Sequence, residues 1–308
     1  GPRTIPSPMP SPAFAGAHVA IVTPLREDGG IDWTAWSRLL DWHAASGTAG
    51  IVVGGTTGES PTITQGELLE LTRRALAQVG GRMQVVVGCG GNDTASTVAR
   101  VRAFSDEGVD GLLLATPAYN KPMQEGLYRH FEAAAAAASV PVILYNVPSR
   151  TAVDMLPATV ARLAQLPRIV GIKEAVADMA RIDALVAQCP AQFCILSGDD
   201  ATARKAVQHG ACGVISVTGN VAPALMSQMI AAVRAGDAAR AAELDSKLSA
   251  LHEQLFVETN PIPVKWALER MGMMNGHLRL PLTPLSQRHF ATVESALAQA
   301  GVPLAVAA

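Results

Sequence analysis

From His18 onward the chain alternates two kinds of segment. Short apolar runs at 19–22, 51–53, 84–87, 111–114, 142–145, 169–172, 193–196 and 213–216 are rich in β-branched residues and leucine. Runs of that length and make-up predict strands buried on both faces. Between them lie amphipathic or alanine-rich stretches near 32–46, 65–79, 93–107, 123–138, 155–165, 177–188 and 200–208. Thr64 and the Asn92-Asp93-Thr94 segment supply N-cap chemistry to two of these helices. Alternation of strand and helix means parallel strands joined by crossover helices. Eight units in succession predict an α/β protein with a closed (β/α)8 TIM barrel over 16–220. An open doubly wound sheet would have fewer strands and a glycine-rich dinucleotide turn after the first. Here that position reads Thr23-Pro24-Leu25.

Past residue 217 the strand rhythm stops. Stretches at 223–235, 237–259, 263–273 and 283–300 read as helices, giving a C-terminal helical appendage over 221–308. Its Glu253, Glu258 and Lys265 read as charges on solvated faces. Residues 1–15 open with many prolines and serines, and predict a disordered N-terminal arm outside the fold. They lack the apolar stretch of a secretory signal, and Gly1-Pro2 has the form of a tag-cleavage scar.

Composition narrows the function. With 49% hydrophobic residues the chain can build a large core, and its formal net charge of -2 offers no basic field for nucleic acid or an anionic membrane. No apolar stretch reaches the length of a membrane span. The four cysteines, Cys89, Cys189, Cys194 and Cys212, show no close pairing or metal-type spacing, which points to a reducing cytoplasm. The histidines form no ligand pair, so no metal is expected.

The apolar run at 169–172 ends on Lys173. Burial at a strand end disfavours an ammonium and frees a neutral nucleophile, the requirement for a Schiff base with a carbonyl substrate. On its own such a lysine more often snorkels to water. Convergence changes the balance. In a barrel of this kind the chemistry lies where strands end. Gly54-Gly55-Thr56-Thr57-Gly58-Glu59-Ser60, Thr116-Pro117-Ala118-Tyr119-Asn120-Lys121-Pro122, Tyr145-Asn146-Val147-Pro148-Ser149-Arg150-Thr151, Lys173-Glu174 and Ser197-Gly198-Asp199-Asp200 all follow predicted strands. Glycines around Thr56 and Thr57 allow close backbone approach, and paired hydroxyl and amide donors suit a small carboxylate. They equally suit a tight turn with N-cap hydroxyls. Tyr145 closes an apolar strand, where it is either a core phenol or an acid/base. Arg150 offers a fork for a carboxylate, or is a solvated loop arginine. Asp199 and Asp200 read as helix N-terminal charges.

Together with Asn260-Pro261-Ile262-Pro263-Val264-Lys265 and Leu278-Arg279-Leu280-Pro281-Leu282, these segments resemble the dihydrodipicolinate synthase / N-acetylneuraminate lyase family of class I pyruvate aldolases, over nearly the whole chain. Within it they look most like members that condense pyruvate with L-aspartate-4-semialdehyde in lysine and diaminopimelate biosynthesis. The resemblance implies that Lys173 forms the imine and Tyr145 shuttles protons through a hydroxyl chain of Tyr145, Thr57 and Tyr119. It implies that Thr56 and Thr57 hold pyruvate's carboxylate, that Gly198 and Ile215 line the pyruvate pocket, and that Arg150 clamps the second substrate. It further implies a cofactor-free cytoplasmic homotetramer, a dimer of dimers, with Tyr119 crossing the tight dimer interface. Related lyases act on N-acetylneuraminate or 2-keto-3-deoxy sugar acids, and a catalytically silent keto-acid-binding barrel is a third possibility; the intact Lys173, Tyr145 and Thr57 set argues against the last. The chain departs from lysine-inhibited members at Ala118, where an aromatic is frequent, and at Gln65, Leu68 and Ser96, where histidine or glutamate is expected, while Asn92 is retained. Ala152 replaces a frequent glycine.

Overall fold

The structure is a computed structural model, and it describes residues 13–306. Eight parallel strands close on themselves in sequence order. They are β1 (Gly16–Ala20), β2 (Gly50–Val53), β3 (Gln84–Gly88), β4 (Gly111–Ala115), β5 (Val142–Asn146), β6 (Ile169–Glu174), β7 (Cys194–Ser197) and β8 (Gly213–Ser216). Around them run α1 (Trp33–Ala45), α2 (Gln65–Val79), α3 (Thr94–Ser105), α4 (Gln124–Ala137), α5 (Pro148–Thr151), α6 (Pro157–Leu163), α7 (Met179–Gln188) and α8 (Ala203–Gln208). Both faces of each strand are buried, which is why the runs read as continuously apolar. Alternate residues go to different cores. Val19, Ile51, Val85 and Leu112 pack outward against the helices, and Ala20, Val52, Val86, Leu113 and Ile143 fill the barrel. The (β/α)8 expectation is met.

The first strand starts earlier than its apolar run suggests. Ile21 and Val22 lie beyond its end, where the Val22 N–H donates to the Asn220 side chain at 3.1 Å instead of a neighbouring strand. Helix starts are explained by their caps. Thr64 and Glu67 form a reciprocal capping box at α2, and Asp93 caps α3.

The barrel floor is filled from the N-terminal side. Phe14, which the sequence reading leaves with the arm, is only 1% exposed, so the ordered fold includes the last residues assigned there. A Cβ on Gly111 would collide with its ring. The Phe14 carbonyl lies 2.8 Å from Nε2 of His18, and burial pushes the His18 pKa down to about 4. Cys194 and Cys212 are joined by a disulfide, with Cα atoms 6.0 Å apart. This corrects the reading that the cysteines do not pair. The two are 18 residues apart in sequence, and only the neighbourhood of β7 and β8 brings them together. Cys89 and Cys189 are free and buried, and burial raises their thiols to about 12 and 11.

After β8 come α9 (Pro223–Arg234), α10 (Ala238–Gln254), α11 (Ile262–Arg270) and α12 (Phe290–Gln299). The last starts later than expected because 283–286 has no helical structure and a 3-10 turn, Gln287–His289, leads into it. Lys265 overturns its reading as a solvated charge. It is 0% exposed, and Nζ donates to Glu59 Oε2 at 2.7 Å and to the carbonyls of Thr23 and His277. All three ammonium hydrogens are used, and that makes so deep a burial tolerable. Arg279 adds a bidentate pair with Glu67 at 2.7 and 2.6 Å. The C-terminal segment thus grips the loop after β2 and the first turn of α2.

Candidate functional site

The register of β5 and β6 sets the centre of the site. Tyr145 lies opposite Lys173, and Asn146 opposite Glu174. The period-two alternation turns each pair a different way. Tyr145 and Lys173 face the barrel interior, 8% and 7% exposed, and Lys173 Nζ lies 4.2 Å from the Tyr145 ring centroid. Asn146 and Glu174 are buried on the other side. Asn146 Nδ2 donates to Glu174 Oε2 and to Asp154 Oδ1, both at 2.9 Å. Arg181 Nη1 bridges Glu174 at 3.0 Å and Asp154 at 2.8 Å. Burial still pushes the Glu174 carboxyl up to about 7, against the pull of Asn146 and Arg181. Sequence reasoning missed this clasp, because Arg181 and Asp154 lie on separate segments that only the fold unites.

Above the pair lies a cavity of about 440 Å³, whose wall includes Lys173, Tyr145, Gly55 and Thr56. The loop after β2 makes one side. Gly54 turns with φ +67, and any side chain there would run into Leu68. That left-handed turn explains the glycine, and it brings Gly55 and Thr56 to the cavity. Thr57 is 2% exposed, and its hydroxyl accepts from Asn260 Nδ2 at 2.9 Å. Ile215 is buried in the barrel interior, and Gly198 follows β7 with its N–H donating to the Glu174 carbonyl at 2.7 Å. Asp199 caps the turn after β7, as its reading as a helix N-terminal charge anticipates. Asp200 instead reaches across to β8, accepting from Ser216 Oγ and from the N–H groups of Val217 and Thr218.

Asn260 is a second residue the sequence reading passed over. It is 7% exposed, its backbone carbonyl accepts from Arg150 Nη2 at 3.2 Å, and its Oδ1 finds no partner among the described residues. It therefore joins Thr57 to Arg150. Arg150 sits on the helical turn α5 and not in a loop, with Pro148 at the first helical position. Ala152 ends that turn at φ +63, a left-handed conformation that accounts for glycine being frequent there.

Tyr119 lies outside the cavity in the single chain. It is 92% exposed and its backbone is left-handed, φ +75. The loop is held by Asn92, whose Oδ1 accepts from Ala118 N at 2.8 Å and whose carbonyl accepts from Asn120 Nδ2 at 2.9 Å. Lys173, Tyr145 and Thr56 thus share one cavity, Thr57 and Arg150 are linked to each other through Asn260, and Tyr119 points to solvent. The arrangement offers an amine, a phenol and hydroxyl donors to a small carbonyl compound, the set that imine chemistry requires.

The chain matches known proteins along most of its length. A model of the dihydrodipicolinate synthetase family matches residues 13–300. The chain is 51% identical to a 4-hydroxy-tetrahydrodipicolinate synthase of Methylibium petroleiphilum and 50% identical to one of Ectopseudomonas mendocina, in each case over 94% of this chain and 99% of the relative. It superposes with a TM-score of 0.92 on a dihydrodipicolinate synthase of Acinetobacter baumannii complexed with pyruvate, at 44% identity, covering 94% of this chain and 100% of that one. It superposes with a TM-score of 0.90 on an enzyme of Cyanidioschyzon merolae with lysine bound, at 35% identity, covering 94% of this chain and 98% of that one.

Proposed function

Because the chain belongs to the dihydrodipicolinate synthetase family, we propose that it condenses pyruvate with L-aspartate-4-semialdehyde to 4-hydroxy-tetrahydrodipicolinate, as a Schiff-base-forming lyase of lysine and diaminopimelate biosynthesis. The observation that carries this reading is a buried lysine amine 4.2 Å from the ring of a buried tyrosine, inside a cavity walled by Thr56. Lys173 Nζ attacks the keto carbon of pyruvate, and water leaves to give a protonated imine. The imine draws electrons from the adjacent methyl group, which loses a proton and becomes an enamine. The enamine carbon adds to the aldehyde of the second substrate. The new molecule's own amine then closes onto the imine carbon and expels Lys173. The imine is the electron sink throughout, so the route needs no cofactor.

Tyr145 is the acid and base of these proton transfers. Thr56 and Thr57 hold the pyruvate carboxylate, Gly198 and Ile215 line its pocket, and Arg150 meets the carboxylate of the aldehyde. Thr57's hydroxyl, with one lone pair taken by Asn260, keeps its proton for the relay between Tyr145 and Tyr119. An exposed Tyr119 on a left-handed backbone fits a residue that completes the neighbouring subunit's site, so the working form is a homotetramer built from two tight dimers. The barrel over 16–220 carries the chemistry, and the helices over 221–308 brace it. Among the described residues no helix is long and apolar enough to cross a membrane. We place the protein in the cytoplasm.

Borohydride reduction in the presence of pyruvate tests the reading. The expected product is a reduced adduct on Lys173, located by peptide mass spectrometry. An adduct on Lys121, Lys205, Lys247 or Lys265, or none, overturns it. A steady-state assay across a panel of aldehydes separates this activity from that of a sugar-acid lyase, which would prefer a polyhydroxylated partner.

A further inference from the structure

Lys173 faces inward because β6 carries one extra residue. At the foot of the β5–β6 ladder Val142 lies opposite Ile169, and the next pair is Ile143 with Gly171, so Val170 has no partner. The side chains record the same break. Ile169 and Ile172 both pack on the helix side, although strict alternation would separate them, while Val170 packs against the barrel interior. A ladder that ran on unbroken from Val142 would set Lys173 opposite Asn146 and Ile172 opposite Tyr145. Opposite residues on neighbouring strands point the same way, so Ile172 would enter the barrel and Lys173 would face the helices. The bulge re-aims the lysine.

A break at the foot of the ladder leaves the register above it to be fixed from the top. There Asn146 and Glu174 lie opposite each other, 0% and 1% exposed. Asn146 Nδ2 donates to Glu174, and its Oδ1 accepts from the Met155 N–H at 3.0 Å. Arg181 closes the ring by donating to both Glu174 and Asp154. Backbone bonds run in the same register: the Ala175 N–H donates to the Asn146 carbonyl at 3.0 Å, and the Gly198 N–H to the Glu174 carbonyl at 2.7 Å. A slip of one residue would strip Glu174 of Asn146 and Arg181, turn its carboxyl into the barrel, and leave the lysine ammonium among apolar side chains.

We propose that this clasp is the positioning device of the site: Glu174, held by Asn146 and Arg181 on the outside of the barrel, locks the bulged register that turns Lys173 toward Tyr145. The inference rests on the imine chemistry proposed above, and adds to it a residue that never touches substrate.

Glu174→Leu and Glu174→Gln test it. Each is exposed to saturating pyruvate for timed intervals, quenched with borohydride, and analysed for the adduct on Lys173 by mass spectrometry. Rates are taken per folded molecule, well below each melting temperature. Glu174→Leu should form the adduct about 10²-fold more slowly, the cost of misplacing a reacting group by about 1 Å. The pyruvate concentration that half-saturates the rate should change less, because the carboxylate is held from the loop after β2. Glu174→Gln keeps an oxygen for Asn146 and should keep most of the rate. If Glu174→Leu does not fold, Asn146→Ala removes the other half of the pair and should show the same split. A wild-type rate in the variant that lacks the pair, or Glu174→Gln as slow as Glu174→Leu, overturns the proposal. Reductive methylation of Lys173 by formaldehyde needs a reachable amine and no pyruvate. If the wild type forms no pyruvate adduct, the imine reading fails and methylation decides alone: slower labelling of Lys173 in Glu174→Leu upholds the clasp, and equal labelling overturns it.

Discussion

Lys265 Nζ and Glu59 Oε2 lie 2.7 Å apart, with the lysine 0% and the glutamate 2% exposed, and the two residues are 206 positions apart in sequence. The pair fastens α11 beneath the loop that presents Thr56 and Thr57. Lys265→Met leaves a buried carboxylate without its partner, a loss of roughly 3–5 kcal/mol. The melting temperature should fall by on the order of 10 °C for a domain of this size. Adding Glu59→Gln should recover part of that loss. A single variant that melts with the wild type would show the pair to be energetically idle.

Tyr145→Phe should lower turnover by roughly 10²–10⁴-fold, the usual range for a general acid or base. Its ring packing against Lys173 is retained, so the melting temperature should hold. Tyr119→Phe should cost less. Near-normal turnover in the Tyr145 variant would leave the phenol a packing role only.

Arg150→Ala should raise the KM for aspartate semialdehyde far more than that for pyruvate, because the guanidinium is assigned to the second substrate alone. Asn260→Ala should act mainly on pyruvate, since the side chain donates to Thr57 while the carbonyl that accepts from Arg150 belongs to the backbone and stays. Removing its side chain also eliminates the unpaired Oδ1, so stability should change less than for an ordinary buried asparagine. Equal shifts in both KM values for Arg150→Ala would mean that the α5 turn has merely been disturbed.

Feedback inhibition by L-lysine should be weak or absent. A ligand with two ammonium groups wants carboxylates or aromatic faces. Ala118, Gln65, Leu68 and Ser96 supply neither, and the Asn92 Oδ1 is occupied by Ala118 N–H. Two lost contacts at about 1–2 kcal/mol each weaken binding by roughly 10–10³-fold. Titration of lysine at fixed pH checks this. Half-inhibition below about 1 mM, a binding energy near 4 kcal/mol, would show that other residues rebuild the site.

Glu174 makes stability depend on pH. Its folded pKa is raised to about 7 from an ordinary 4.5, so between those values the folded chain holds a proton that the unfolded chain has lost. The contribution is complete below about 4.5 and disappears as the pH rises through 7. The difference in melting temperature between wild type and Glu174→Gln should therefore shift against the wild type over that window. Parallel melting curves across it would mean that Arg181 holds the carboxylate ionised.

The barrel and the strand-end positions of Lys173, Tyr145 and Thr56 were legible because they depend on short-range patterns: apolar runs, period-two alternation and breaks rich in glycine and proline. What escaped was long-range. Lys265 lies two residues after Pro263 in a helix whose local sequence gives no sign that its ammonium meets Glu59. Asn260 lies in a segment that carries the family resemblance, yet its partners Thr57 and Arg150 come from the loop after β2 and from the α5 turn. The same holds for Arg181 with Asp154, and for Cys194 with Cys212.

The filled barrel floor turns the site into a street closed at one end. Phe14, His18 and the Cys194–Cys212 pair plug the lower interior, so traffic to Lys173 uses the upper mouth in both directions. On the proposed mechanism the keto acid parks first, the aldehyde comes in behind it, and the ring-closed product backs out by the same mouth before another pyruvate enters.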